Sequence, residues 1–373
     1  MLYQAWEQRK LGEIVNRLNK TSNSSQLPKI EFEDIIAGEG RLNKNITSKF
    51  DGRKGILFKP NNILYGKLRP YLKNWLFPKF EGIALGDFWV FEAKDTIPSF
   101  IYNLIQSDSY QKIANDTSGT KMPRSDWKKV SNSDFLVPKE KIEQQKIGSF
   151  FQQFDHTIAL HQRKLDALKL MKQGFLQQMF PVNGKKVPKV RFVDFDDDWE
   201  QFMLGKLVQI TMGQSPKSIN YTDNPSDYIL VQGNADMRNG QVVPRVWTKQ
   251  ATRTADIGDI ILSVRAPVGD VGKTDYHVAL GHGVAGIKGN EFIYQILLKM
   301  KIDKYWVEYS VGSTFESINS NDLKEAPISV PNEREQKKVG AFFSQLDETI
   351  ALDQKKLDKL NILKKAYLKN MFI

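Results

Sequence analysis

Ten polar side chains lie in or beside predicted turns, where they could form hydrogen bonds with a ligand. They are Lys67, Arg69, Lys121, Arg124, Gln232, Asn234, Arg238, Arg265, Ser313 and Thr314. In the major groove of DNA, Arg or Lys can engage O6 and N7 of guanine, and Asn or Gln can engage N6 and N7 of adenine. The set therefore predicts that these loops contact DNA, and for any single residue a phosphate contact or simple surface charge is favoured over base reading.

Residues with catalytic potential are sparse. Asp87, Glu92 and Lys94 superficially resemble a nuclease metal site, in which carboxylates bind a divalent ion and Lys assists. A half-buried strand with polar alternate residues explains them better. Residues 281–286 (GHGVAG) do not form the G-x-G-x-x-G fingerprint, no P-loop is present, and the histidines lack metal-ligand spacing: His156, His161, His277 and His282. We predict no catalytic, cofactor or metal site in this chain.

Short β-rich runs between Gly, Asn and Asp turns must hold these loops. The predicted strands are Gly55–Phe58, Phe88–Phe91, Tyr228–Val231 and Tyr276–Leu280, and the predicted helices are Ser99–Ser107 and Glu291–Met300. NILYGKLRP at 62–70 resembles DIILSVRAP at 259–267, and both predict a buried strand that leads into a basic turn closed by proline. Tyr71 and Trp127 lie beside basic residues and could stack on a base, but we predict that both pack in the core.

The chain contains an internal repeat. GSFFQQFDHTIALHQRKL at 148–165 returns as GAFFSQLDETIALDQKKL at 340–357, with 12 of 18 positions identical at an offset of 192. WEQRKLGEIV at 6–15 returns as WEQFMLGKLV at 199–208, with six of ten identical. A repeat this long indicates two copies of a domain-sized module, each followed by a helix.

Each repeat carries the 3.5-residue apolar spacing of a coiled-coil seam. The first seam is Ile147, Phe151, Phe154, Ile158, His161, Leu165, Leu168, Lys172, Phe175 and Met179; the second is Val339, Phe343, Leu346, Ile350, Asp353, Leu357, Leu360, Lys364, Tyr367 and Met371. Each helix can run roughly 40 residues, or about 60 Å. If the helices pack antiparallel, His161 and Asp353 would meet near the centre. The alternative is that both face solvent.

Composition favours a polyanionic partner. The 373 residues carry a net charge of +11 and no cysteine, and such a basic balance in a soluble protein most often serves nucleic-acid binding. No run approaches 18 apolar residues, so we expect no membrane span. The absence of cysteine fits a cytoplasmic protein. We interpret the helix lysines as a solvated face, with some near DNA phosphates: Lys164, Lys169, Lys172, Lys355, Lys356, Lys364 and Lys365.

We predict an α+β protein with two mixed α/β modules separated by two long helices that form an antiparallel coiled coil. The first module spans 1–137 and its helix 138–180, and a connector follows at 181–198. The second module spans 199–330 and its helix 331–373. Val190, Phe192 and Phe195 of the connector are expected to dock on the second module.

The doubled pattern resembles the specificity (S) subunit of type I restriction–modification systems. It rests on the WEQ…LG starts, the ILYGKLRP and IILSVRAP strands, the EQ…IG/VG…FF…D.TIAL helices, and the ends LKLMKQGFLQQMF and LNILKKAYLKNMF. The resemblance covers essentially the whole chain, and the doubled architecture makes it specific. One departure is the segment VPKVRFVDFDDDW at 187–199, which precedes the second module and has no counterpart before Trp6. This departure bears on how the base of the first module packs and not on the function that the resemblance implies.

In that family each module is a target-recognition domain that reads one half of a bipartite DNA site. The resemblance implies a non-catalytic chain that binds double-stranded DNA, two methyltransferase (M) subunits and restriction-translocase (R) subunits. It implies S-adenosylmethionine, ATP and Mg²⁺ only in the partner subunits. Two other classes remain open: a coiled-coil scaffold that binds protein alone, and a DNA endonuclease with its own metal site.

Overall fold

Two units make up the chain, and each draws on both long helices. The computed structural model describes residues 6–43, 46, 51–117, 121–182, 184–310 and 317–372. The first unit takes residues up to 163 and from 355 onward, and the second takes 164–354. The long helices are Lys141–Gln178 and Glu333–Met371, so each is divided between the units.

The first unit combines short strands with helices. Its strands are β1 (Trp6–Lys10), β2 (Val15–Leu18), β3 (Thr21–Ser22), β4 (Lys29–Ile30), β5 (Ile35–Ile36), β6 (Arg41–Leu42), β7 (Gly55–Phe58), β8 (Ile63–Gly66), β9 (Trp75–Leu76), β10 (Gly82–Ala84), β11 (Phe88–Ala93) and β12 (Asp134–Pro138). Its helices are α1 (Leu11–Ile14), α2 (Pro98–Leu104), α3 (Asp108–Ala114), α4 (Trp127–Ser131), the first part of α5 (Lys141–Gln178) and the end of the long helix Glu333–Met371. A 3-10 turn spans Pro70–Leu72.

Two four-stranded sheets dominate this unit. One has the order β2-β11-β8-β9 and is antiparallel throughout. The other has the order β3-β7-β10-β4, with a parallel pairing between β10 and β4. Strands β1 and β12 close the base of the module as an antiparallel pair, and β5 and β6 form a hairpin.

The second unit has a related plan. Its strands are β13 (Glu200–Met203), β14 (Gln209–Met212), β15 (Tyr221–Thr222), β16 (Tyr228–Val231), β17 (Met237–Arg238), β18 (Gln241–Val242), β19 (Trp247–Thr248), β20 (Thr254–Ala255), β21 (Ile260–Ser263), β22 (Val271–Lys273), β23 (Val278–Leu280), β24 (Val284–Lys288) and β25 (Pro327–Val330). Its helices are α6 (Leu204–Leu207), α7 (Glu291–Ile302), α8 (Ser320–Lys324), the end of α5 and the start of α9 (Glu333–Met371). Its sheets are β14-β24-β21-β22-β18-β17 and β15-β19-β16-β23-β20, with β13 paired to β25.

The module interiors diverge in sequence yet share a central strand arrangement. Strand β11 lies between β2 and β8, as β24 lies between β14 and β21. Strand β8 is buried on both faces, because Ile63 and Tyr65 enter one apolar core while Leu64 enters another. Strand β21 repeats this with Ile260 and Leu262 on one side and Ile261 on the other. A period of two with both faces covered explains the continuous aliphatic runs that predicted these strands.

The strand and helix predictions are confirmed. Gly55–Phe58 and Tyr228–Val231 match β7 and β16 end to end. The other two predicted strands overlap β11 and β23, and the predicted helices overlap α2 and α7, although α2 ends at Leu104 and β23 begins only at Val278.

The long helices bury the predicted seams within each unit. Every seam position is buried or half-buried except Tyr367. In the first unit the Tyr367 ring lies 5.2 Å from Phe150, and Lys364 lies 2.6 Å from Asp155. In the second unit Phe175 lies 5.1 Å from Phe342, with Lys172 2.6 Å from Asp347. Since later residues of one helix meet earlier residues of the other, the paired segments are antiparallel.

Two assignments of polar residues on these helices are wrong. Lys172 and Lys364 were predicted on a solvated face, but both side chains are largely buried and form ion pairs with Asp347 and Asp155. Their methylene stems pack along the seam while the ammonium groups reach a carboxylate. Solvent exposure is also wrong for Asp353, which is 2% exposed and forms an ion pair with Lys164 at 2.7 Å. That His161 and Asp353 meet stays a prediction.

The connector docks on the start of α9. The Phe192 ring lies 6.2 Å from Phe342, and Phe195 is buried beneath Arg334. Arg191 donates two hydrogen bonds of 2.8 Å to Glu335, whose carboxylate raises the pKa of the guanidinium. The docking predicted for Val190 is wrong, because that side chain stays exposed.

Glu335→Gln is expected to loosen the connector. Removing the charge from the fully buried partner of Arg191 weakens a hydrogen bond to a charged group, worth about 1.5–3 kcal/mol. Trypsin should then cleave residues 181–198 faster than in the unsubstituted protein. Glu333→Gln, in the exposed pair with Lys337, is the matched control and should leave the cleavage rate unchanged. Equal rates of cleavage in the Glu335→Gln and Glu333→Gln variants would contradict a role of the Arg191–Glu335 ion pair in holding the connector.

Candidate nucleic-acid interface

The basic turn of the first module is joined to the loop that follows residue 120. Arg69 adopts the left-handed conformation with φ +47° and donates from its backbone N–H to Pro123 O at 2.7 Å. Leu68 and Arg124 face each other as an isolated β-bridge. Ser125 N–H donates to Lys67 O at 2.8 Å. The structure thus places Lys67, Arg69 and Arg124 together. The sequence predicted each of them as a site residue but not that they are neighbours.

Asp87 lies inside this basic group. Its carboxylate is 3.0 Å from Arg124 and 3.5 Å from Lys67, and its carbonyl accepts from Lys67 N–H at 2.9 Å. These pairs are partly exposed, so they orient the cations more than they stabilise the fold. Arg69 and Lys121 are exposed, and both can face an anionic ligand.

The prediction for Tyr71 is wrong, and that for Trp127 is right. Tyr71 is 56% exposed, because the 3-10 turn that carries it projects between two left-handed residues, Arg69 and Lys73. Trp127 packs in the first unit, stacked 5.7 Å from Phe91. Tyr71 therefore gives the basic turn an exposed aromatic side chain.

Loops at the ends of four strands meet in the second module. They follow β14, β16 and β21 and connect β23 to β24. Backbone hydrogen bonds join them: Gly281 N–H donates to Val231 O at 2.7 Å, Gln214 N–H to Leu280 O at 2.8 Å, and Val264 N–H to Gly283 O at 2.9 Å. A Cβ at Gly283 would lie 1.9 Å from the carbonyl oxygen of Gln232, so glycine is required for this close approach.

Beside the predicted Gln232, these loops carry polar side chains that sequence reasoning missed, Ser215 and His282. Ser215 N–H donates to His282 Nδ1 at 2.6 Å, and His282 N–H donates to Ser215 Oγ at 3.0 Å. Because Nδ1 accepts, a neutral His282 ring carries its proton on Nε2, where it can donate to a ligand. Gln232 Nε2 donates to Tyr221 Oη at 2.7 Å. The GHG sequence at 281–283 could have indicated these loops, because its glycines permit close approach of the backbone. It was considered only as a cofactor motif.

The other predicted residues of this module are dispersed. Asn234 begins a 3-10 turn, and Arg238 is exposed on the β17–β18 hairpin, opposite Gln241. Arg265 is exposed next to the converging loops and forms an isolated β-bridge with Ser317. Ser313 and Thr314 lie outside the described residues.

Both modules use one backbone frame for these loops. The bond from Lys67 N–H to Asp87 O and the bond from Val264 N–H to Gly283 O both measure 2.9 Å and join equivalent loops. In the first module the frame holds cations around a carboxylate. In the second it holds an amide, a hydroxyl and an imidazole. The chemistry presented to a ligand therefore differs between the modules.

The two carboxylates that suggested a nuclease site have different surroundings. Asp87 is engaged by Lys67 and Arg124, whereas Glu92 is exposed on β11 opposite Asn16. Across the described ranges, no group of three or more His, Asp or Glu side chains could hold a metal ion. In the same parts of the chain, no helix is long and apolar enough to cross a membrane.

Named relatives of this chain are specificity subunits. The chain is 30% identical over 247 residues to the putative type I restriction enzyme MjaX specificity subunit of Methanocaldococcus jannaschii, covering 61% of this chain but only 56% of that relative. It is 21% identical over 369 residues to the MjaVIII specificity subunit of the same organism, covering 92% and 80%. The chain thus spans little more than half the length of the first of these relatives.

Solved structures share the fold. The type I restriction–modification S subunit from M. genitalium superposes with a TM-score of 0.67 at 14% identity, covering 100% of this chain and 97% of that one. A chain from a study of complex assembly and conformational transition of the type I R-M system gives 0.60 at 22% identity, covering 97% and 96%.

The family assignment rests on the duplicated sequence itself. The sequence model of the type I restriction modification DNA specificity domain matches twice, at residues 3–170 and 196–361. Each match takes in one module and much of its long helix. These two matches cover most of the chain, which therefore belongs to the type I restriction–modification DNA specificity family.

Proposed function

We propose that this chain is the non-catalytic DNA-recognition subunit of a type I restriction–modification enzyme, in which each module reads one half of an asymmetric bipartite site. The observation that carries the proposal is the shared loop frame with unlike side chains in the two modules. A shared frame would present loops to DNA in the same manner, while different donors and acceptors select different bases. The net charge of +11 supplies affinity for phosphates.

The two long helices form an antiparallel coiled-coil spacer in this proposal. Buried apolar seams and the Lys–Asp pairs in each unit support it. A spacer of fixed length makes the gap between the half-sites a fixed number of unread base pairs.

The spacer recruits the catalytic partners. Two M subunits, one for each half-site, would bind S-adenosylmethionine and flip the target adenine out of the duplex, because base chemistry cannot proceed inside a stacked helix. R subunits would use ATP and Mg²⁺ to translocate and cut unmethylated DNA in the cytoplasm. None of these cofactors is assigned to this chain.

Salt dependence tests DNA binding directly. Arg69→Ala and Arg265→Ala should each lower the affinity for a mixed-sequence duplex and reduce the slope of log K against log salt by about 0.9, the contribution of one phosphate contact. Lys337→Ala, in the exposed pair with Glu333, is the control and should leave the slope unchanged. Affinity that does not depend on salt would favour a scaffold that binds only protein.

Methylation mapping tests the complete proposal. A host that expresses this chain with its matching methyltransferase subunit should gain methylation at two short, unlike sequences around a fixed gap. If both proteins associate in soluble form and no such motif appears, the proposed function is wrong.

A further inference from the structure

Gln232 is the best-fixed amide among the converging loops of the second module. Its backbone N–H donates to Asp236 Oδ2 at 2.8 Å, and the buried Asp236 carboxylate also accepts from Gly233. The preceding residue, Val231, is the buried last residue of β16, and its carbonyl accepts from Gly281 N–H. The carbonyl of Gln232 lies against Gly283, where even a methyl group would not fit. The backbone of Gln232 is therefore held from three sides.

Tyr221 fixes the side chain as well. Gln232 Nε2 donates to Tyr221 Oη at 2.7 Å, and Tyr221 is held on β15, which pairs with β19. A carboxamide has two N–H donors and one carbonyl acceptor. The bond to Tyr221 uses one N–H donor of the amide, and it determines which edge of the amide is left to face a ligand. One N–H and the carbonyl oxygen remain, and both side chains are partly open to solvent.

An N–H beside a carbonyl oxygen matches one base edge. Adenine presents N7 as an acceptor and N6 as a donor in the major groove, and a bidentate glutamine satisfies both. Guanine presents acceptors at both N7 and O6, so the carbonyl of a fixed amide would face another acceptor. An amide that could rotate would discriminate less, which gives the Tyr221 hydroxyl a role in selectivity.

We propose that Gln232, oriented by Tyr221, reads an adenine in the half-site of the second module. This rests on the proposed function, since it assumes that the converging loops face DNA. Gln232 makes the base contact, and Tyr221 is a positioning residue. The first module has no amide held in this way among the three residues that its turn brings together, where Lys67, Arg69 and Arg124 favour guanine or phosphate.

Selection from a randomised duplex library tests the proposal. The chain would be assembled with its methyltransferase subunits, and bound duplexes would be sequenced to find the preferred bases. Gln232→Glu should replace adenine by cytosine at one position of one half-site, because a carboxylate accepts from cytosine N4. Tyr221→Phe should keep adenine but reduce its preference over guanine, by up to the roughly 5- to 150-fold that a good bidentate contact supplies.

The matched control is Tyr228→Phe. Tyr228 is exposed on β16, and its register partner Thr248 is also the partner of Tyr221. Its loss should change no base preference. Unchanged selection at the other half-site would show that each variant is folded and assembled.

The outcomes separate the two levels of inference. If the unsubstituted complex selects a bipartite motif and Gln232→Glu changes no position, the role of Gln232 is wrong and the proposed function stands. If Gln232→Glu changes the base but Tyr221→Phe has no effect, positioning by Tyr221 is wrong. If the unsubstituted complex selects no motif, the proposed function fails and the reading of adenine fails with it.

Discussion

Phe343→Ala is expected to lower the free energy of unfolding of the second unit by about 3–5 kcal/mol, the usual cost of truncating a buried phenylalanine. Phe343 is fully buried and stacks 6.0 Å from Phe180, which in turn contacts Trp199 and Phe292. Truncation leaves a cavity among rigid rings that cannot collapse into it. Urea denaturation followed by hydrogen exchange of second-unit amides would measure the loss.

Two further variants serve as controls for the Phe343→Ala prediction. Leu352→Ala removes an exposed side chain of the same helix and should change stability by less than about 0.5 kcal/mol. Phe151→Ala, at the equivalent repeat position, should weaken the first unit instead, since Phe151 lies in that unit's core. A loss confined to the first unit in the Phe343→Ala variant would contradict this assignment of the cores.

Asp347→Ala is expected to cost up to about 3 kcal/mol in the second unit, the low end of the range for a buried ion pair, because Asp347 itself is one-third exposed. Asp347 accepts from Lys172 Nζ at 2.6 Å and from Gln295 Nε2 at 2.9 Å. Without the carboxylate, the largely buried Lys172 ammonium loses its acceptor, and the fully buried Gln295 amide keeps only its bond to Glu291. The substitution should also lower the pKa of Tyr294, which burial, Asp347 and Glu291 together raise. Urea denaturation and ultraviolet titration of tyrosine would measure both effects.

A double substitution distinguishes the effect of losing the ion pair from the effect of losing side-chain packing. Lys172→Met with Asp347→Leu should recover most of the lost stability, because removing both charges leaves no unpaired ion in the seam. If the double variant were as unstable as Asp347→Ala, the loss would come from packing and not from the stranded ammonium.

Periodicity and repetition predicted the frame of this protein well. The 12 identities between residues 148–165 and 340–357 located both long helices. The aliphatic runs at Gly55–Phe58 and Tyr228–Val231 located strands to the residue. Both signals are local, since a helix or strand shows its buried face within a few residues.

The converging loops could not be predicted because nothing local connects them. Ser215 and His282 are 67 positions apart and meet through paired strands whose register the sequence does not reveal. Strand β15, which carries Tyr221, and its partner β19 are only two residues long, too short for any pattern. Lys172 and Lys364 misled for another reason. A hydropathy pattern scores lysine as polar, while the carboxylate that admits each ammonium to the core lies on the other long helix.

The division of both helices between the units bears on how such a chain could have arisen. An ancestral half-length polypeptide, with one module and one helix, would have carried the counterparts of both Asp155 and Lys172. Its helix would have lacked a mate, and a second copy of itself would have supplied one, with the aspartate of each molecule meeting the lysine of the other. That dimer would have been two-fold symmetric, and under the proposed function its DNA site would have been a palindrome. Gene duplication and fusion would have let each module diverge toward its own proposed half-site while the inherited ion pairs stayed in place.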